Sequence, residues 1–204
     1  MRSPKRRMLG MAGAAIWLVA ISTVFTVLSL TMIGASVPRF VLTSGVVAAI
    51  LHLAVGIGMI RAILRSPGAI PPRTMEDRVM LRRFVPVVIG EVVAIMVVNG
   101  ICAVTQHLEL LVPLDLLIVG IHFVPLARIF RVPRYYAMGG LFCLVVVLTL
   151  VLVPAHAQVG AAAAWFVIPT FGCSAVAWAT AAMNLREVRQ SIPRSTVDQA
   201  VAGS

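Results

Sequence analysis

The stretch Gly120-Ile121-His122-Phe123-Val124-Pro125-Leu126-Ala127-Arg128-Ile129-Phe130-Arg131 decides the fold. It closes an apolar run that begins near residue 111, and it ends on spaced arginines. A run of about 20 such residues is the length a helix needs to cross the hydrocarbon core of a bilayer. A histidine and a proline inside it would be expensive faults in a plain lipid anchor, so each calls for a partner or a purpose.

Working outward, the same texture fills the chain. Hydrophobic residues make up 60%, charged residues 12%, and the mean hydropathy is +1.02. A soluble domain carries about a quarter charged residues, so this chain suits an apolar solvent. The 204 residues accommodate six spans and short connections. The expectation is an all-α, polytopic membrane bundle of six transmembrane helices, at about 9–35, 40–64, 84–104, 111–130, 136–153 and 161–183. Residues 1–8 form a basic cytoplasmic start, 9–186 one membrane domain, and 187–204 a cytoplasmic tail, partly disordered. Gly34-Ala35-Ser36 resembles a signal-peptide cleavage site, but the apolar run before it exceeds the roughly 7–15 residues of a signal core.

The net charge of +10 does not point to nucleic acid, because the basic residues fall between apolar runs. With both termini inside, the cytoplasmic segments hold four, six, three and three Lys/Arg, and only Arg39 of the 17 lies outside. An odd number of spans would destroy this asymmetry. The partners it implies are the lipid bilayer and anionic headgroups at the cytoplasmic clusters. Small-residue faces, such as Ser44, Ala48, His52 and Gly56 on the second helix, could pack within the bundle or between copies in a homo-oligomer.

Local signals mark the connections. Thr74 followed by Glu76 and Asp77 reads as a helix start, and Pro86 is expected to kink or restart that helix. Pro113 and Asp115 read as a first helical turn, where an acid offsets the dipole and stays wet. Tyr135 and Tyr136 sit where a headgroup boundary is expected. Pro125 and Pro169 are candidate helix hinges.

Three ionisable residues fall well inside spans, where each costs about 2.5–3.5 kcal/mol on insertion scales. Glu91 lies eight residues beyond Arg83, His122 six before Arg128, and His52 nine before Arg61. At the helical rise these depths are about 12, 9 and 13 Å from the arginine-rich side. His52, Glu91 and His122 thus form a candidate polar layer. In an antiparallel helix pair, residues at one level keep a constant sum of residue numbers. Glu91–His122 and Asn99–Asp115 satisfy this to within one residue, so both are expected to meet as pairs.

The layer has three readings. It can be a polar network that fixes helix pairing. It can be a pathway for a small solute or protons, exchanged between carboxylate and imidazole. Or His52 and His122 can ligate a haem, although the sequence carries no further haem signal and no cofactor is expected. His107, His156 and Glu109 lie in outer connections and are read as solvated rather than as a metal site. Cys102, Cys143 and Cys173 are scattered in apolar segments and read as packing residues. No G-x-S-x-G, H-E-x-x-H, phosphate-binding glycine loop or C-x-x-C is present, so the sequence does not point to an enzyme.

The pattern of Gly120, His122-Phe123, Pro125-Leu126-Ala127, Phe130 and Pro133 resembles small bacterial polytopic membrane proteins with a G-x-H-F-x-P-L-A motif. That resemblance implies the architecture above and carries no activity with it.

Overall fold

The computed structural model describes residues 4–33, 47, 50–51, 53–58, 60–61, 64 and 75–191. His52, Ser44, Ala48, Arg39, residues 34–36 and the tail beyond 191 lie outside the described residues.

The fold is all-α apart from one two-residue ladder. Helix α1 spans Pro4–Ile33, α2 is helical at its described residues between 47 and 64, and α3 spans Met75–Val104. A 3-10 turn, Leu108–Leu110, leads into α4 at Leu111–Phe130. Then follow α5 at Arg134–Leu152 and α6 at Ala164–Ser191. The segments Arg78–Val104, Leu108–Phe130, Arg134–Leu152 and Ala164–Gln190 are each long and apolar enough to cross a bilayer, and α1 carries the shorter apolar run Ala12–Val27.

Several boundaries differ from expectation, for physical reasons. α3 runs unbroken through Pro86. The hydrogen bond that proline forfeits belongs to the carbonyl of Arg82, and both residues are exposed near the arginine-rich end, where that carbonyl can find another partner. α4, at Leu111–Phe130, keeps the expected bounds, but Asp115 then lies beyond its first turn, not within it. Residues 162–163 do not belong to α6. They pair antiparallel with Gln158–Val159, across a turn with Gly160 at φ 64°. α6 continues to Ser191, so the segment after Met183 is helical as expected, but it is not a purely polar tail, because Asn184, Leu185 and Val188 prolong the buried face.

Two hairpins set the geometry of the site. Between α4 and α5 the chain turns in three residues. Arg131 adopts the left-handed conformation (φ 56°, ψ 43°) and the Val132 N–H reaches back to the Ala127 carbonyl at 3.1 Å. This is the usual way to close a helix C-terminus, here without the usual glycine, and Pro133 then starts the next helix. Where α4 and α5 cross, Gly120 and Gly139 face each other. A Cβ on Gly139 would lie 2.5 Å from the Gly120 carbonyl oxygen, so only glycine permits this approach. Between α3 and α4, Gln106 (φ 60°) and the 3-10 turn reverse the chain in the same compact way.

The helices pack in the order α3, α4, α5, α6, α1, with α1 most extensively against α6. Ala15 and Val19 of α1 meet Ala181 and Leu185 of α6, and Ser174 Oγ donates to the Ser22 carbonyl at 3.3 Å. α2 joins there through Gly56, which lies against Ile16 and Leu185. Leu116, Met138, Phe142, Val146, Cys173 and Ala177 form the main core between α4, α5 and α6. α3 is peripheral and α6 the more deeply buried: Cys102 is the one buried hydrophobic residue among the described residues of α3, against seven from Ala164 to Val188 in α6.

Candidate functional site

The seam between α3 and α4 carries both polar pairs. Glu91 projects from the middle of α3, and His122 lies on α4 two residues beyond the glycine crossing. The Glu91 Oε2 to His122 Nδ1 distance is 3.2 Å, with the side chains 19% and 9% exposed. The distance suits an ion pair or hydrogen bond, yet Nδ1 has no well-aligned hydrogen bond among the described residues. The pair is therefore in contact without an aligned hydrogen bond between its members. The imidazole also reaches the backbone of Val87, one turn before Glu91, and stacks edge-on to Phe123 with ring centroids 6.0 Å apart.

The second pair sits two turns away on the same seam. Asn99 Nδ2 donates to Asp115 Oδ2 at 3.4 Å, while Oδ1 of each residue is buried without a hydrogen-bond partner among the described residues. Eight residues along α3 separate the pairs, about 12 Å at the helical rise. Residues 92–98 of α3 and 116–121 of α4, which lie between them, are all apolar or glycine.

The contacts expected from the constant-sum register are thus present: Glu91 meets His122, and Asn99 meets Asp115. Asp115 is not the wet first-turn acid anticipated for it. It lies past the first turn of α4 and meets Asn99 of α3. His52 lies outside the described residues, so its place in the layer and the two-histidine haem reading have no geometry here. Pro125 and Pro169 both lie within continuous helices, and Pro169 is fully buried.

In the connection between α3 and α4 His107 Nδ1 lies 3.0 Å from Glu109 Oε1, with both side chains well exposed. Tyr135, at the start of α5, faces the bundle rather than its surroundings. It is 7% exposed and packs with Phe123 and Phe130, while Tyr136 keeps the exposed position.

Sequence reasoning missed one polar residue. Asn184 is fully buried on α6, beside the Tyr135 hydroxyl, and neither of its polar side-chain atoms makes an aligned hydrogen bond among the described residues. Nearby, Arg134 pairs with Glu187 and ties the start of α5 to the end of α6. The available signal was the spacing of Ala177, Ala181, Asn184 and Val188, which extends one helical face past Met183.

Compared with protein-family models, curated proteins and solved structures, the chain matches none, and its functional reading rests on its own residues.

Proposed function

We propose that this is a six-span integral protein of a bacterial cytoplasmic membrane, with both termini cytoplasmic, and that Glu91 and His122 support proton-linked or small-solute movement. The Glu91–His122 contact carries the reading: an acid and an imidazole at 3.2 Å, mostly buried in an apolar seam, without an aligned hydrogen bond. A pair built only to hold two helices gains most from a short, linear bond. A loosely aligned pair can exchange a proton with small changes in side-chain position.

The rival reading is a structural or regulatory membrane protein whose polar seam docks α3. One observation favours it: α3 is the most peripheral of the described spans, and the two polar pairs lie on the face by which it is held.

Water access separates the two. Single cysteines at positions 91 and 122, in a background lacking Cys102, Cys143 and Cys173, would be exposed to a membrane-impermeant thiol reagent from each side. Movement through the seam requires labelling from at least one side. Folded protein that resists labelling from both sides, together with no pH-driven flux in vesicles, would sink the transport reading.

A further inference from the structure

The pair Asn99–Asp115 poses a problem of hydrogen-bond accounting. One bond is made, from Asn99 Nδ2 to Asp115 Oδ2. That bond fixes which end of the carboxamide faces the acid, since only its nitrogen can donate. Left over are two oxygens, Asn99 Oδ1 and Asp115 Oδ1, both buried and both without a donor among the described residues. Two acceptors cannot satisfy each other, and buried polar atoms are rarely left unpaired.

An ionised carboxylate here would also need a counter-charge. The titratable groups on the elements packed against this part of α4 supply none. α3 contributes Cys102, the connection to α4 contributes His107 and Glu109, which engage each other, and α5 and α6 contribute Cys143 and Cys173. The described arginines of α3, α4, α5 and α6 lie at the opposite end of the seam, at 78–83, 128–134 and 186–189. Arg39, which the charge pattern places on this side, is outside the described residues.

We infer that Asp115 is a proton-binding site: its carboxyl is neutral, carries the proton on Oδ1, and donates it to Asn99 Oδ1. One proton taken up from water then satisfies both orphaned oxygens. The two side chains form a cyclic pair, amide N–H to carboxyl oxygen and carboxyl O–H to amide oxygen, with no net charge to bury. This holds whether or not Glu91 and His122 conduct protons. It gives the α3–α4 seam a second proton-holding position, separated from the first by an apolar stretch that offers no side chain to relay a proton.

The test is direct because the chain has only three aspartates, Asp77, Asp115 and Asp198. The full chain would be made with carbon-13-carboxyl aspartate, reconstituted in lipid vesicles, and its infrared spectrum recorded at pH 7 in H2O and D2O. The expected result is a protonated, labelled carboxyl band that disappears in Asp115→Asn and persists in Glu91→Gln. A labelled signal that is wholly carboxylate at pH 7 overturns the inference, as does a protonated band that survives Asp115→Asn. The wild-type spectrum decides the first point even if a variant folds poorly. The cyclic pair makes a second demand. Asp115→Asn supplies the reciprocal donor through its own amide, so it should keep the wild-type melting temperature, while Asp115→Ala loses it. Equal losses in both variants would mean that the ionised acid was needed.

Discussion

Glu91 and His122 show how an intramembrane pair divides its roles between holding helices and handling charge. Hydrogen bonds between transmembrane helices contribute about 0.6 kcal/mol on average and at most about 1.7 kcal/mol, because the separated helices also find partners. We therefore expect a double-mutant cycle with Glu91→Leu and His122→Leu, read by unfolding in detergent, to give a coupling within that range. Glu91→Gln keeps the shape and the hydrogen-bonding capacity but cannot release a proton. It should leave the unfolding midpoint near wild type and abolish pH-driven flux in vesicles. Flux that survives Glu91→Gln would assign the pair to packing alone. Both partners were legible beforehand, because an acid and an imidazole in membrane-length apolar runs stand out against their surroundings. Their contact was legible as well, because a short connection fixes the register of an antiparallel pair. Asn184 was not. A lone asparagine next to arginines reads as the start of a wet tail, and only packing against α5 reveals that it is buried.

The helices divide into those positioned by close backbone approach and those positioned by side chains. The α4–α5 crossing belongs to the first kind. A Cβ at Gly139 would lie 2.5 Å from a backbone oxygen, whereas one at Gly140 would meet nothing within 4 Å. Gly139→Ala must push the two helices apart and should cost about 1–3 kcal/mol, as overpacking does. Gly140→Ala, one residue away, should stay within about 0.5 kcal/mol of wild type. Thermal unfolding of the two variants side by side is the check, and equal effects would place the crossing elsewhere. Because His122 is two residues past Gly120, Gly139→Ala should also change the labelling rate at position 122, which Gly140→Ala should not. α3 illustrates the second kind. Its proline sits near the arginine-rich end, so Pro86→Ala restores a backbone donor for Arg82 without disturbing any described core cluster. It should leave stability unchanged or slightly raised in the same assay.

Across the whole chain, the distribution of lysine and arginine makes a topological statement that the helices alone do not. Six spans with both ends cytoplasmic require a fluorescent protein fused at the carboxyl end to fold and fluoresce. They also require alkaline phosphatase fused after Glu109 or after Ala157 to be active, since both connections would face the periplasm. An inactive fusion at both positions would invert or reduce the topology. What residue order determined by itself is the chain's apolar, helical class and the levels at which Glu91 meets His122 and Asn99 meets Asp115, since transfer free energy and helical rise are properties of short segments. Beyond the α3–α4 hairpin, tertiary structure alone decided which helices are neighbours and which way each one faces. That is why the α1–α6 contact, the glycine crossing and the burial of Tyr135 and Asn184 emerged only there. The reason is physical: lipid tails are as apolar as leucine, so hydrophobicity does not distinguish a lipid-facing side from a helix-facing one, and close packing makes that choice.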